Sequence, residues 1–419
     1  MQNPLMAGFG QVDITPELDS PPTFEIFDPM FLRALHLRQE DRQVTFLAAD
    51  LFLFDDKCFE LVAGYLKDSD VDPNWVLRGA SHMGTGPTLF QYYVNQPTES
   101  LKEFGNEDRY ARAAAEAILL AREDASTAMA GVGTGDAEEG LQYNRRAHND
   151  DGDLRMVSLT EFPKPPRDLQ YDPVDPQIGV VRFDRKDRRP INLVNFGCHA
   201  LARWDQRGNI SADYPGVLCA ALDSQGIDAL FIQGALGNVH PVREGEEPSA
   251  RIGTSLAEDV LRISRDIAPS DNADLKLYSR TIETGRLPVL DEDEAKRRWE
   301  EDPPNSEGLS RYYYWLAQNY SNATSFELDV RLIVIGDGAL IHMPGEPFVE
   351  TAVAIREAAA FSRVLLLCNP CPEAGYLPTH RAREEGDGEV LFAPLGMTSE
   401  DQIRQGTIEL LNEAHLAGN

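Results

Sequence analysis

Short apolar runs rich in β-branched residues alternate along this chain with longer amphipathic stretches, and this alternation limits the possible folds more than any other feature. The apolar runs have the length and composition of buried strands and occupy residues 190–197, 228–234, 330–343 and 363–369. The amphipathic stretches repeat with the period of a helix and occupy residues 108–125, 249–267, 348–360 and 399–414. Strands that alternate with helices predict an α/β fold, in which helices flank a mixed sheet.

Two segments interrupt this alternation. Residues 149–176 are dense in Asp and Pro and are predicted to loop over the surface. Residues 291–322 are predicted to form a helical insertion that breaks at Pro303-Pro304, with the aromatic cluster from Tyr312 to Trp315 packed in a core or an interface. Neither segment is long enough for a separate domain and no internal repeat is evident, so we predict a single large domain over residues 1–419.

The acidic composition narrows the possible partners. There are 39 Lys and Arg residues against 69 Asp and Glu residues, which gives a formal net charge of −30. Such a charge repels phosphate backbones and anionic lipid headgroups, so we expect no nucleic-acid partner and no stable membrane insertion. No run reaches the ~18 apolar residues of a membrane span, and the start lacks the features of a secretory signal. With only five cysteines, the sequence predicts a cytoplasmic protein and leaves its oligomeric state open.

Four residues that can ligate a metal follow strand-like runs. They are His82, His199, Glu346 and Tyr376. The binding crevice of an open α/β sheet lies beyond the carboxyl ends of its strands, so the active site is expected there. Two imidazoles and a carboxylate suit a catalytic zinc ion. Each residue also has a purely structural explanation, because a histidine can satisfy loop backbone groups and Glu346 can favour the N-terminus of the next helix.

Eight short motifs occur in the order seen in the neutral, non-lysosomal ceramidases, and the chain resembles that family from about Ala7 to Thr379. The motifs are AGFGQVDITP near the N-terminus, ASHMGTGPT (80–88), YNRR (143–146), FGCHA (196–200), SADYPG (211–216), QGALGNVHP (233–241), MPGEP (343–347) and AGYLPT (374–379). The family is a group of zinc amidohydrolases that split the N-acyl amide of ceramide.

The resemblance implies a role for each candidate residue. The zinc ligands would be His82, His199, Glu346 and Tyr376, with Tyr376 also among the catalytic groups. Arg145 matches the family's site arginine and would hold the carbonyl oxygen or the oxyanion, a role that suits its fixed fork of donors. Zinc is the expected cofactor, because it polarises a carbonyl and activates water for attack on an amide.

The sequence also departs from the family pattern. Family members have a second histidine where this chain has Gly84, so a proton-handling group is missing there. His240 replaces a position that is often Ser or Asn, and we predict that it takes over acid–base catalysis, although it can equally well cap local backbone. Asp213 either orients a zinc histidine or caps the helix that follows it.

The predicted substrate is a small N-acyl compound. The family carries a β-sandwich domain after the catalytic one, whereas this chain stops at Asn419 after a helix, so ceramide itself is a doubtful substrate. We therefore predict a zinc-dependent amidohydrolase that cleaves an N-acyl amide bond with an activated water. The alternative is a catalytically silent relative that binds a small ligand or a metal without turnover, which the loss of a histidine at Gly84 makes credible.

Overall fold

The architecture is that of a computed structural model, which describes residues 3–17, 24–86, 107–159, 164–206, 208–301 and 309–418. The first part of the chain contains β1 (Met6–Asp13), β2 (Phe31–Gln39), β3 (Arg42–Ala49), α1 (Asp56–Leu66), β4 (Val76–Ala80) and α2 (Glu107–Glu123). The middle part contains β5 (Ser126–Asp136), β6 (Gln142–Asn144), β7 (Arg146–His148), β8 (Leu154–Met156), β9 (Gln170–Tyr171), β10 (Gln177–Arg185), β11 (Ile191–Phe196), α3 (Asp213–Ser224), β12 (Asp228–Gln233), β13 (Val239–Pro241) and α4 (Pro248–Asp266). The last part contains β14 (Leu275–Gly285), α5 (Glu292–Glu301), α6 (Leu309–Tyr320), β15 (Ser325–Ile335), β16 (Gly338–Pro344), β17 (Glu346–Pro347), α7 (Val349–Ala358), β18 (Arg363–Asn369), β19 (Tyr376–Leu377), α8 (His380–Glu385) and α9 (Ser399–Gly418).

One arrangement of strands and helices occurs three times along the chain. In each case three antiparallel strands are followed by a helix, by a fourth strand parallel to the third, and by a second helix. Repeat A consists of β1, β2, β3, α1, β4 and α2, and repeat B of β5, β10, β11, α3, β12 and α4. Repeat C consists of β14, β15, β16, α7, β18 and α9. The expectation that the chain has no internal repeat is therefore wrong for its topology.

The connections between the first two strands explain why this repeat is not evident in the sequence, because one is shorter than the other two and the two long ones carry different elements. The first and second strands of the repeats are joined by residues 14–30, 137–176 and 286–324. The second connection carries β6 to β9, and the third carries α5 and α6 in the stretch predicted as a helical insertion. The predicted break at Pro303-Pro304 lies outside the described residues. Tyr312 of the aromatic cluster is buried, and its hydroxyl donates to the carbonyl of Pro372 at 3.2 Å.

The sheets confirm the predicted fold class. Repeats A and B join at β1 and β5 into an eight-stranded mixed sheet of order β12-β11-β10-β5-β1-β2-β3-β4. Repeat C forms a four-stranded sheet of order β14-β15-β16-β18. Helices flank these sheets, which gives a mixed α/β structure. Within the described residues, every helix falls short of the length or the apolar character that crossing a bilayer requires.

Alternating side chains divide the core into an inner and an outer part. On β2, Leu35 belongs to an inner cluster built from all three repeats, whereas Leu32 belongs to the cluster that packs against α1 to α4. On β15, Ile333 is inner, and Leu332 packs in the cluster that includes α7 and α9. This is the period-two alternation of strands that are covered on both faces.

The fourth strands of the three repeats, β4, β12 and β18, contact one another. A Cβ on Gly79 would lie 2.8 Å from Cγ2 of Ile232, so these strands approach too closely for a larger residue there. Asn195 on β11 donates from Nδ2 to the carbonyls of Ile232 at 3.0 Å and Leu366 at 2.9 Å, which ties repeat B to repeat C. Loops from all three repeats consequently meet in one place.

Candidate metal centre

Two histidine rings are held by backbone carbonyl groups. His82 lies just beyond β4 with a positive φ of 59°, and its Nδ1 is 2.7 Å from the carbonyl oxygen of Phe52. His199 lies just beyond β11, and its Nδ1 is 2.9 Å from the carbonyl oxygen of Val239. A carbonyl oxygen only accepts hydrogen bonds, so in the neutral ring each Nδ1 carries the proton and each Nε2 keeps its lone pair.

Glu346 and Tyr376 reach the same point from repeat C. They are paired residues of β17 and β19, which run parallel to each other, so the two side chains start side by side. Oε2 of Glu346 lies 3.3 Å from Nε2 of His82 and 3.4 Å from Nε2 of His199. The Tyr376 hydroxyl lies 3.1 Å from Nε2 of His199. All four predicted ligands are buried and brought together, with His82 from repeat A and His199 from repeat B.

The donor atoms of these residues suit a cation. Lone pairs on both Nε2 atoms face Oε2 of Glu346, which has no hydrogen-bond partner among the described residues. Burial raises the pKa of Glu346, and two rings that turn lone pairs toward it do not offset burial, so a cation at the shared point is what would keep the carboxylate ionised. Burial lowers the pKa of His199 and favours its neutral ring.

The spacing of the donor atoms fits one small ion. Ligand atoms of His82, His199 and Glu346 all lie within 4.8 Å of one another. A tetrahedral zinc ion with bonds of about 2.0–2.1 Å separates its ligands by about 3.4 Å, close to the 3.3 and 3.4 Å found from Glu346 to the two rings. These three residues could therefore hold a metal, with Tyr376 beside them.

Arg145 and His240 lie against this cluster. His240 on β13 pairs with Tyr143 on β6, and its ring centroid is 5.1 Å from that of His199. NH1 of Arg145 is 3.4 Å from Nε2 of His240, and Nε of Arg145 is 2.9 Å from Oε1 of Glu389. Burial, followed by the charge of Arg145, holds the pKa of His240 well below its ordinary value. The predicted acid–base role of His240 relied on an ordinary histidine pKa near neutrality. In this environment the pKa is lower than that.

The position of the missing family histidine is closed by other side chains. A Cβ on Gly84 would lie 2.6 Å from Cδ2 of Leu201 and 3.1 Å from the ring of Trp204. Pro87 and Thr88 of the same motif lie outside the described residues. The carboxylate of Asp213 accepts from the backbone N–H groups of Arg203 at 2.9 Å and Tyr214 at 2.6 Å. Asp213 is the first residue of α3 and Ala212 is its N-cap, so the carboxylate binds backbone at the start of the helix without being the predicted cap.

Sequence reasoning missed three groups at this site. The carbonyls of Phe52 and Val239 orient the two histidines, and a backbone carbonyl has no signature in residue type. Glu389 is fully buried between the guanidinium groups of Arg145 and Arg146, whose NH1 is 3.5 Å from Oε2. This glutamate lies far along the chain from both arginines, within a motif-free stretch. A buried carboxylate needs a positive partner, but the sequence does not show which arginine supplies it.

The chain resembles two solved ceramidase structures. Over 98% of its length it matches the neutral ceramidase from Pseudomonas aeruginosa with a TM-score of 0.72 and 18% sequence identity, and the match covers 74% of that chain. A ceramidase complexed with C2 matches 98% of this chain with a TM-score of 0.70 and 18% identity, over 75% of its own length. No protein-family model and no curated protein sequence matches the chain. The likeness shows a ceramidase-like fold.

Proposed function

We propose that this protein is a zinc-dependent hydrolase that cleaves an N-acyl amide bond. The observation that carries the proposal is the buried convergence of His82, His199 and Glu346, with three lone-pair donors facing a common point. Such a set of two histidines and a carboxylate is that of catalytic zinc sites, which leave a position open. Zinc bound there supplies a Lewis acid and lowers the pKa of water toward neutrality.

We propose three catalytic side chains around that centre. The Tyr376 hydroxyl, 3.1 Å from Nε2 of His199, can complete the ligand set or donate to the substrate. Arg145 is held by Glu389, and its planar guanidinium group has the geometry to bind the acyl carbonyl. His240 lies beside His199 and is the third group. All three lie within contact of one another or of a ligand, as binding and orienting an amide requires.

The proposed substrate is a small N-acyl compound. The ceramidase-like fold supports an amide as the scissile bond, since the matched structures are ceramidases. The net charge of −30 favours a soluble ligand over an anionic membrane surface or a nucleic acid. All five cysteines are free and buried, which is consistent with the reducing cytoplasm that we propose as its compartment.

Turnover by the purified protein tests this proposal. A panel of N-acyl amides with acetyl to hexadecanoyl chains is incubated with wild type, with chelator-treated protein, and with treated protein after zinc is restored. We expect turnover that is lost with the metal and regained with it, and a His199→Ala variant that stays inactive. Turnover that continues in the metal-free protein would overturn zinc dependence. Full zinc content without turnover of any amide would instead identify a silent metal-binding protein.

A further inference from the structure

We infer that His240 acts as a neutral hydrogen-bond donor to the substrate carbonyl oxygen through Nδ1, and that it does not transfer protons. This inference rests on the proposed function and specifies how one residue serves it. It departs from the acid–base role expected of a histidine that replaces a lost one. The contacts of the two ring nitrogens of His240 support the inference.

Arg145 determines the tautomer of His240. NH1 of Arg145 lies 3.4 Å from Nε2 of His240. A guanidinium group stays protonated in proteins and has no acceptor, so the nitrogen that faces it must accept. Nε2 of His240 is therefore unprotonated, and the single ring proton of the neutral form lies on Nδ1.

A buried carboxylate and a backbone carbonyl hold Arg145 in that position. Its Nε is 2.9 Å from Oε1 of Glu389, and the neighbouring Arg146 approaches the other oxygen of the same carboxylate. Glu389 is buried, and its carboxylate needs the positive charge of the two arginines beside it, which keeps these three side chains together. The backbone N–H of Arg145 also donates to the carbonyl of Asn238 at 2.8 Å. The arginine is consequently a fixed partner of Nε2 before any substrate binds.

The other ring nitrogen of His240, Nδ1, is available to a ligand. His240 is 3% exposed, and its Nδ1 is a buried atom with no hydrogen-bond partner in the described part of the chain. Buried N–H groups are nearly always paired, so an unpaired one beside a cluster of metal-ligand type indicates a donor reserved for a ligand. The His240 ring lies 5.1 Å from the His199 ring at an interplanar angle of 79°. A carbonyl oxygen held at the metal centre is the acceptor that this N–H would meet.

Hydrolysis of the amide balances in atoms and charge without a proton on Nε2 of His240. Water adds through its oxygen to the amide carbon, the carbonyl electron pair moves to oxygen, and that oxygen accepts a hydrogen bond from Nδ1. The C–N bond then breaks, the carbonyl re-forms, and both protons of the water end on the carboxyl product and the amine. His240 begins and ends as the same tautomer, which is the behaviour of an oxyanion-hole donor in a water-excluded site.

Substitutions that mimic one ring nitrogen at a time test this role. The amide nitrogen of His240→Asn occupies the place of Nδ1, whereas that of His240→Gln reaches the place of Nε2. We expect His240→Asn to keep kcat within ~10-fold of wild type, and His240→Gln and His240→Ala to lose ~10²–10³-fold in kcat, the range for removal of one oxyanion donor. Zinc content and melting temperature should match wild type in all three. Equal loss of kcat in the Asn and Ala variants, with zinc and folding intact, would overturn the inference.

Nitrogen-15 NMR of the zinc-loaded protein supplies a readout that does not depend on activity. We expect the His240 side chain to show a protonated Nδ1 and an unprotonated Nε2 at neutral pH, and Arg145→Met to remove this preference. A protonated Nε2, or a ring protonated on both nitrogens, would overturn the inference even if the enzyme is active. Absence of turnover in wild type would refute the proposed function instead, and the tautomer would still be measured.

Discussion

At the scale of single residues, the site depends on which nitrogen of each ring carries a proton. Carbonyls of Phe52 and Val239 hold the proton on Nδ1 of His82 and His199, so both rings present Nε2 to Glu346. Partners of this kind fix the tautomer and raise the basicity of a histidine ligand. Because the fixing groups are backbone atoms, side-chain substitution at either position need not disturb them.

A single substitution can remove the negative charge of Glu346 and keep the size of its side chain. Glu346→Gln keeps the shape of the side chain but replaces an ionised, buried oxygen by a neutral amide. We expect zinc affinity to fall by at least the ~10–100-fold that follows loss of a ligand's own supporting hydrogen bond. Competitive titration with a chelator measures it. Glu357→Gln, exposed on α7, removes a charge elsewhere and should leave the affinity unchanged; a Glu346→Gln variant as tight as this control would exclude Glu346 as a ligand.

At the scale of elements, the runs identified from periodicity correspond to β11, β12, β15 with β16, β18, α2, α4, α7 and α9, whereas several other elements were not predicted from periodicity, namely β1, β2, β3, β5, β10, β14, α1 and α3. The run at 363–369 is β18 with the same bounds, whereas the run at 330–343 divides between β15 and β16, which are joined by Gly336 and Asp337. The pairing of β17 with β19 could not be predicted, because two-residue strands have no period. The threefold repeat was hidden for a related reason, since its connections differ in length while its strands share only an apolar character.

The site residues also divide into those that the sequence could predict and those that it could not. His82, His199 and Glu346 could be predicted because polar residues after apolar strands mark a crevice, and the family resemblance then assigned them to one metal. Glu389 and the position of Leu201 against Gly84 depend on contacts between distant segments. Spacing along the chain carries no information on such contacts.

The turn before β13 packs against the strand that carries Glu346. A Cβ on Gly237 would lie 2.5 Å from the carbonyl oxygen of Glu346, a backbone atom that cannot rotate away. Gly237→Ala should therefore lower the free energy of unfolding by about 1–3 kcal/mol and weaken zinc binding as well. Chemical denaturation and zinc titration measure the two effects.

A helical glycine provides the matched control for this substitution. In the described part of the chain, nothing lies within 4 Å of a Cβ added at Gly64 in α1, so Gly64→Ala should raise the free energy of unfolding by about 0.5–1 kcal/mol. A Gly237→Ala variant as stable as wild type would show that this turn can move away from the site.

Asn195 joins strands of two repeats and offers a test of their packing. Its Nδ2 donates to carbonyls on β12 and β18, and the residue is buried. Asn195→Asp is nearly isosteric but removes both donors and adds a buried negative charge. We expect a loss of about 2–5 kcal/mol in unfolding free energy. The exposed Asn272→Asp should change it by less than about 0.5 kcal/mol, and an equally small change at Asn195 would mean that the contact between repeats is dispensable.

At the scale of the whole molecule, we propose that net charge selects which substrates reach the site. The protein has a net charge of −30, so an anionic bilayer repels it, whereas the approach of a neutral soluble amide is unaffected. We expect kcat/KM to be higher for a short-chain, soluble N-acyl amide than for long-chain ceramide in anionic vesicles. Zwitterionic vesicles serve as the control for access to the lipid. Faster cleavage of ceramide in anionic vesicles would show that charge does not select the substrate.

We propose that one metal centre is assembled from three repeats, and the zinc content of the purified protein tests this. Elemental analysis of protein purified with zinc, then dialysed, is compared for wild type, His82→Ala, His199→Ala and the exposed His380→Ala. We expect about one zinc per chain in wild type and His380→Ala, and almost none in the other two, because too few ligands remain to hold the ion against water. Full zinc occupancy in both His82→Ala and His199→Ala would contradict the centre described for this fold.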